Sequence, residues 1–355
     1  MTPITVSDFE SLAKEKLSSM AYDYYSSGAN DEVTLKENCD AYKRIFLKYR
    51  VLVDVDKRNL STEVLGNKIS IPVIIAPTAF HRMAHDEGEV AVARAAGAAD
   101  TIMILSTLSN SAVEEVVRAS SKSVWFQLYV FKDREITRDL IKRAEAAGCK
   151  AIVLTVDAPL LGTRERDVRN RFDLPEGITV KNLETVFKEK LPQKGDSGIA
   201  SYVAEYLDPS LNWKDIEWLK SITRLPLLLK GIACKEDALL SVKHGAEGIV
   251  VSNHGGRQLD TCRATIDVLP EVVDAVHGKI EILIDGGIRR GTDILKAIAL
   301  GAKAVLIGRP VIWGLAVDGE NGVKTILEIF RRELDIAMAL CGCDSIKSIT
   351  KDFLA

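Results

Sequence analysis

Eight short apolar runs, separated mostly by helical patterns, restrict this sequence more than any other feature. They cover residues 71–77, 101–106, 124–129, 151–156, 225–230, 248–252, 281–285 and 304–308. Each is rich in β-branched or bulky apolar side chains and lacks the alternation of a half-exposed strand. Each therefore reads as a strand buried on both faces, as parallel strands are. Three of the helical patterns close alike, in Ala147-Gly148-Cys149-Lys150, His244-Gly245-Ala246-Glu247 and Leu300-Gly301-Ala302-Lys303, with glycine available for the left-handed residue that ends a helix. Eight strand–helix alternations predict a closed (β/α)8 barrel of the TIM type. A doubly wound open sheet is the other candidate, but no G-x-G-x-x-G turn follows the first run. The 355 residues suffice for one such domain over 1–355. A helical N-terminal segment is expected to about residue 65, with Ser7 capping a helix over 8–16. A Lys-, Glu-, Asp- and Gly-rich insertion at about 165–215 follows the fourth strand and reads as a lid.

The C-terminal end of every run is polar or turn-forming. In order these ends are Pro77-Thr78-Ala79, Ser106, Gln127-Leu128-Tyr129, Thr155-Val156-Asp157, Lys230, Ser252 with His254, Asp285-Gly286-Gly287 and Gly308-Arg309. One or two such ends are ordinary turns; all of them together, at the face where barrels keep their active sites, point to chemistry. After the sixth run, Ser252-Asn253-His254-Gly255-Gly256-Arg257-Gln258-Leu259-Asp260 sets a proton-moving group beside one that grips a carboxylate or phosphate. The two glycines between them let the backbone turn and approach a ligand closely. After the seventh and eighth runs, Asp285-Gly286-Gly287-Ile288-Arg289-Arg290-Gly291, a helical pattern at 292–300 and Gly308-Arg309 supply backbone N–H groups, a helix N-terminus and guanidinium charge. Those are the parts of a phosphate site, for substrate or cofactor.

A formal net charge of −3, with both signs interspersed, gives no electrostatic case for a nucleic-acid or membrane partner. No apolar run approaches the about 18 residues of a spanning helix, and the opening Met1-Thr2-Pro3-Ile4 lacks the features of a signal peptide. Six scattered cysteines without a C-x-x-C pair read as reduced thiols, with Cys341 and Cys343 a packed pair and no metal site expected. These features point to the cytoplasm.

Taken in order, Asp23-Tyr24-Tyr25-x-x-Gly28-Ala29, Ala76-Pro77-Thr78-Ala79, Phe126-Gln127-Leu128-Tyr129, Thr155-Val156-Asp157, Leu229-Lys230-Gly231, the stretch from Ser252 to Asp260 and Asp285-Gly286-Gly287 resemble the FMN-dependent L-2-hydroxy acid oxidase and dehydrogenase family, which includes glycolate oxidase and lactate oxidase. The match runs from about Asp8 to about Asp344. The resemblance implies that the phosphate belongs to FMN. Pro77, Thr78 and Ala79 would line its isoalloxazine ring; Ser106, Gln127, Thr155 and Ser252 would bond the ring or ribityl chain; Lys230 would sit by N1 and the C2 carbonyl. Asp285, Gly286, Gly287, Arg289, Gly308 and Arg309 would hold the ribityl tail and phosphate.

Oxidising a 2-hydroxy acid takes a carboxylate anchor, a base and an acceptor for two electrons. Arg257 suits a bidentate grip and Arg164 offers a second. His254 is the natural base, and Asp157 is suited to orient its ring and stabilise its cation. Tyr129 would bond the substrate hydroxyl and the developing ketone oxygen, and Tyr24 would complete the carboxylate site. The family gives these same residues the same roles. Blander readings make Tyr24 and Tyr129 core residues, Arg164 one charge in Arg164-Glu165-Arg166-Asp167, and Asp157 a helix cap. Of the other histidines, only His81, close behind Thr78 and Ala79, stands out. Whether the substrate's Cα loses a hydride or first a proton stays open.

With dioxygen as acceptor the product is hydrogen peroxide. The absence of haem-domain length, and of an apolar insertion after strand four, favours that oxidase reading over a dehydrogenase using another acceptor. Leu108 stands where glycolate oxidases typically carry tryptophan, which opens the pocket and predicts activity on L-lactate at least equal to that on glycolate. Phe80-His81 also departs from the glycolate-oxidase pattern and keeps a mandelate-type oxidase with a larger substrate as the alternative. The final Asp352-Phe353-Leu354-Ala355 carries no Ser-Lys-Leu-type peroxisomal signal. Rival readings are an FMN barrel such as a type 2 isopentenyl diphosphate isomerase and a non-catalytic flavin-binding barrel. A carboxylate-and-hydroxyl constellation argues against both. The resemblance also implies a homotetramer or homo-octamer.

Overall fold

A computed structural model of the chain describes residues 3–184 and 206–355. Parallel strands Val73–Ile75, Met103–Leu105, Val124–Leu128, Ile152–Thr155, Leu227–Ile232, Gly248–Val251, Glu281–Asp285 and Ala304–Ile307 close into a barrel. Each overlaps one of the expected runs. The eighth strand pairs with the first, Val305 opposite Val73 and Ile307 opposite Ile75, so the sheet has no open edge.

Side chains alternate across the barrel wall. Ile74, Ile104, Trp125, Val153, Leu228, Val250, Leu283 and Leu306 fill the interior. Their neighbours Val73, Ile75, Met103, Leu105, Phe126 and Leu128 pack outward under the helices. Both faces are dry, which is why the runs show no polar alternation. A hairpin, Thr62–Val64 with Asn67–Ile69, adds Val64 and Ile69 to the interior cluster and plugs the barrel's N-terminal end, where Leu65 N–H donates to Glu281.

The outer layer holds Gly88–Ala98, Val113–Ala119, Arg134–Ala147, Trp213–Ile222, Lys235–Lys243, Thr265–Val276, Gly291–Ala299 and Arg309–Cys341. The helix Arg134–Ala147 shows the recipe: Asp133 caps it, Ile136, Leu140, Ile141 and Ala144 face inward, and Gly148 ends it at φ +99°. Gly245 and Gly301 take the same left-handed backbone at φ +76° and +106°. The last helix bends where Asp318 and Gly319 leave helical geometry.

The N-terminal segment begins as expected, with helices Val6–Lys16, Ser19–Ser26 and Val33–Arg44. Two expectations are corrected. Thr5, not Ser7, caps the first helix: Asp8 N–H donates to Thr5 Oγ1 at 3.2 Å and Thr5 N–H to the Asp8 carboxylate at 3.0 Å. That reciprocal pair satisfies two orphan donors at once, whereas Ser7 lies inside the first turn. Helix also ends at Arg44; an irregular stretch and the hairpin fill the remainder of the segment. Of the 165–215 insertion, Glu165–Arg169 is a short helix. Its residues 185–205, the heart of the expected lid, lie outside the described residues. No helix among the described residues is long and apolar enough to cross a membrane.

Leu283 is fully buried in the barrel interior. Leu283→Ala is expected to destabilise the fold by about 2–5 kcal/mol, through lost burial plus the cavity left behind. A denaturation midpoint indistinguishable from that of the unmodified chain would contradict this account of the interior.

Candidate active site

A cleft opens at the C-terminal ends of the strands. Pro77, Thr78, Ala79, Ser106, Leu108, Gln127, Tyr129, Thr155, Lys230, His254, Arg257, Asp285, Gly286, Gly287, Arg289, Gly308 and Arg309 line it, with Tyr24 from the N-terminal segment and Arg164 from the insertion. The structure thus brings the predicted residues together. Asp157 and Ser252 stand just behind the lining, bonded to His254 and Lys230.

The loop after the sixth strand delivers the histidine through unusual backbone. His254, Gly255 and Gly256 all have positive φ, at +57°, +65° and +75°. A non-glycine residue there carries local strain. The glycines are also required by space: a Cβ on Gly255 would lie 2.9 Å from Arg309 Nη1, and one on Gly256 2.7 Å from the Leu35 backbone nitrogen. His254 N–H donates to Ser252 Oγ at 3.1 Å, which holds the turn.

His254 Nδ1 lies 2.9 Å from Asp157 Oδ1. An ionised carboxylate only accepts, so the bond places the proton on Nδ1 and leaves Nε2 of the neutral ring as a proton acceptor. Burial pushes the Asp157 carboxyl up, but the neighbouring His254 outweighs it and keeps the group below its usual range. For His254, burial wins over the pull of Asp157 and holds the ring below the usual histidine pKa of 6.5. Asp157 comes this close because the fifth strand bulges at Gly231, φ +111°, where a Cβ would meet Asp157 at 2.6 Å. Beside the pair, burial raises the Tyr129 and Tyr24 hydroxyls above 10, so both are protonated donors at neutral pH.

Arg257 is tied more tightly to the protein than a free anchor. Its Nη1 donates to Tyr24 O at 2.6 Å and Ser27 O at 3.0 Å, and its guanidinium stacks 5.0 Å from the Tyr24 ring centroid. One nitrogen thus fixes the N-terminal segment, which leaves the rest of the guanidinium for an anion. Burial, with Arg164 nearby, brings Arg257 down to about 10.

The base of the cleft is a closed polar network. Gln127 Nε2 donates to Thr155 Oγ1 at 3.0 Å, and Gln127 Oε1 accepts from Ser106 Oγ at 3.3 Å and Thr107 N–H at 3.0 Å. Lys230 Nζ donates to Ser252 Oγ at 3.0 Å and pairs with Asp285 Oδ2 at 3.2 Å. Burial opposes the ammonium, yet Asp285 and Asp157 keep Lys230 above its usual range and charged.

At the phosphate end the side chain of Arg309 lines the cleft and is also bonded within the protein. It donates to three carbonyls, Tyr25 at 2.9 Å, Gly255 at 3.1 Å and Ser27 at 3.0 Å. It straps the N-terminal segment to the sixth-strand loop. Burial, compounded by Arg257 and Arg289, lowers it to about 9, so a bound anion would relieve the cluster. Gly286 and Gly287 have positive φ, and the helix Arg309–Cys341 starts at the cleft after Gly308. Those parts suit a phosphate. The Asp285 Oδ1 oxygen, buried without a hydrogen-bond partner among the described residues, suits a hydroxylated chain. The donor set of Ser106, Gln127, Thr155 and Lys230 suits a ring edged with nitrogen and oxygen. These residues fit FMN.

Several contributors were not singled out from sequence. Phe172 stacks on Tyr24 with centroids 4.4 Å apart, and Leu161 and Leu207 add apolar wall. Asp260, the last residue of the quoted stretch after strand six, accepts from Val33 and Thr34 N–H at 3.3 and 2.8 Å and so docks the third helix. Asn38 and Asn253 exchange side-chain bonds at 2.9 and 2.8 Å across the same seam. The only local hint was that Asp260 and Asn253 flank the His–Gly–Gly–Arg turn.

Comparison with known proteins agrees with this geometry. The family model described as FMN-dependent dehydrogenase matches residues 13–355. An L-lactate oxidase of Nostoc sp. is 55% identical over 358 residues, covering 99% of this chain and 98% of the relative. The glycolate oxidase of Spinacia oleracea is 54% identical over 350 residues, covering 99% and 95%. Among solved structures, a mandelate oxidase with (S)-4-hydroxymandelic acid superposes with a TM-score of 0.94 at 42% identity, covering 99% of this chain and 98% of that one. With this cleft and these relatives, the chain belongs to the FMN-dependent dehydrogenase family, among its 2-hydroxy acid oxidases, and takes FMN as cofactor.

Proposed function

We propose that this enzyme oxidises small L-2-hydroxy acids, L-lactate ahead of glycolate, to 2-oxo acids, with dioxygen leaving as hydrogen peroxide. The observation that carries the reading is the 2.9 Å His254–Asp157 pair set in one cleft with Arg257, Arg164, Tyr24 and Tyr129. Arg257 and Arg164 bind the substrate carboxylate, joined by the Tyr24 hydroxyl. Tyr129 donates to the substrate hydroxyl and continues to hold that oxygen as it becomes the ketone. His254 Nε2 takes one substrate proton, and Asp157 stabilises the resulting imidazolium. FMN would be held by the residues from Pro77 to Ala79 and by Ser106, Gln127, Thr155, Lys230, Ser252, Asp285, Gly286, Gly287, Arg289, Gly308 and Arg309, and would supply the two-electron acceptor, with dioxygen as the final oxidant.

The substrate preference rests on the apolar wall. Leu108, Phe80, Leu161 and Leu207 line the cleft, and a methyl group at C3 gains contact there that glycolate cannot make. One buried methyl is worth about 0.8 kcal/mol, or about fourfold in kcat/KM. We also propose that the chain assembles as a homotetramer or homo-octamer, supported by Phe46, Tyr49, Val51 and Leu52, which stand exposed in one stretch.

Steady-state assays with both substrates are expected to give a kcat/KM for L-lactate about fourfold above that for glycolate, and Leu108→Trp should reverse the order; an unmodified enzyme that prefers glycolate refutes the preference. His254→Asn should lower the rate of anaerobic flavin bleaching by about 10²–10⁴-fold while the bound flavin's spectrum stays intact. Because only neutral His254 accepts the proton and its pKa lies below 6.5, kcat/KM should hold level near neutral pH and fall as pH drops below 6.5. An acid limb centred above that value would assign the base elsewhere.

A further inference from the structure

Arg164, one of the two arginines given to the substrate carboxylate, already faces a carboxylate of this chain. Asp167 sits in the short helix Glu165–Arg169, directly after Arg164. Its Oδ2 lies 3.8 Å from Arg164 Nη1, a distance that gives attraction without a hydrogen bond, and the two side chains are 15% and 11% exposed. Asp167 Oδ1 and Arg164 Nε are both buried without a hydrogen-bond partner among the described residues. Burial raises the Asp167 carboxyl above its usual range, against the pull of the Arg257 and Arg164 guanidinium groups. The neighbouring carboxylates are engaged elsewhere: Asp23 pairs with Arg166 at 3.6 Å and accepts from Asn170 at 2.8 Å, and Asp157 holds His254.

We propose that Asp167 is a counter-anion built into the substrate carboxylate site, a positioning residue that holds Arg164 toward the cleft without satisfying it. The inference rests on the reading of Arg164 and Arg257 as that site. Two guanidinium groups facing one cleft with no counter-charge would repel each other and grip any small carboxylate tightly, product as well as substrate. A closely bonded aspartate would do the opposite and neutralise Arg164 outright. At 3.8 Å the charge is offset while the donors stay uncommitted. Substrate and product anions then bind against the standing charge of Asp167, and the 2-oxo acid leaves faster than it otherwise would.

The test is an anaerobic titration of the oxidised, FMN-loaded enzyme with pyruvate, read from the visible absorbance of the flavin, alongside steady-state product inhibition. Asp167→Asn keeps the shape and removes the charge. It is expected to bind pyruvate at least about tenfold tighter, the effect of one unit charge within about 12 Å at an effective dielectric near 20, and to show correspondingly stronger product inhibition. Affinity for uncharged pyruvamide should not change, a selectivity that a merely structural role would not produce. Unchanged or weaker pyruvate binding overturns the proposal, as does an equal gain for pyruvamide. Asp167→Ser, with the same expected signs, replaces the asparagine variant if that one does not fold. If pyruvate leaves the flavin of the unmodified enzyme unperturbed at every concentration, the carboxylate-site reading itself falls, and this proposal with it.

Discussion

Everything in this molecule depends on the pairing of the last strand with the first. Ala76 N–H donates to Ile307 O at 2.9 Å, and the ladder below it joins Ile74 to Leu306. Until that seam closes, Pro77–Ala79 and Gly308–Arg309 are the two ends of an open sheet. Once it closes they are neighbours, and every strand end between them is placed on one ring. Hydrogen bonding alone does not force closure; the interior side chains do, because Leu283, Trp125 and Val250 bury fully only inside a complete wall.

A ring of strand ends is still an open surface, and the N-terminal segment turns it into a cleft. That segment is held by bonds that reuse the site's own cations. Arg257 and Arg309 meet on the Ser27 carbonyl, while Asp260 receives the first N–H groups of the third helix. Close backbone approach is built in as well: Ala29 N–H donates to Gly256 O at 2.8 Å, and a Cβ on Gly28 would stand 2.9 Å from that oxygen. Arginines suit this double duty because one planar fork addresses several acceptors in fixed directions. The arrangement concentrates positive charge where carboxylate and phosphate are to bind.

Much of this was legible in the sequence because it was periodic or local. Apolar runs without alternation identified buried strands, and polar residues at their ends identified the working face. Gly148, Gly245 and Gly301 marked helix ends because only glycine adopts that backbone cheaply. The rest was less legible for physical reasons. Ser7 and Thr5 are both good caps by residue type, and the choice fell to the reciprocal bond with Asp8, which depends on spacing. Arg309 read as a phosphate ligand, but its added part as a strap did not show, because its partners there are carbonyls of Tyr25, Ser27 and Gly255, and a carbonyl has no residue identity to read. Phe172 on Tyr24 likewise joins two segments whose approach only the folded chain defines.

The strap made by Arg309 also orders events in time. The segment that it fastens is synthesised long before the arginine, which lies 284 residues beyond Tyr25. Tyr25 and Ser27 therefore wait while all eight strands are made before their carbonyls acquire this partner. A chain broken off before the eighth strand carries the histidine, the aspartate and most of the lining, yet lacks both the closing strand and the strap. Assembly of the flavin cleft in this way waits on the eighth strand, through the same bonds that shape the mature site.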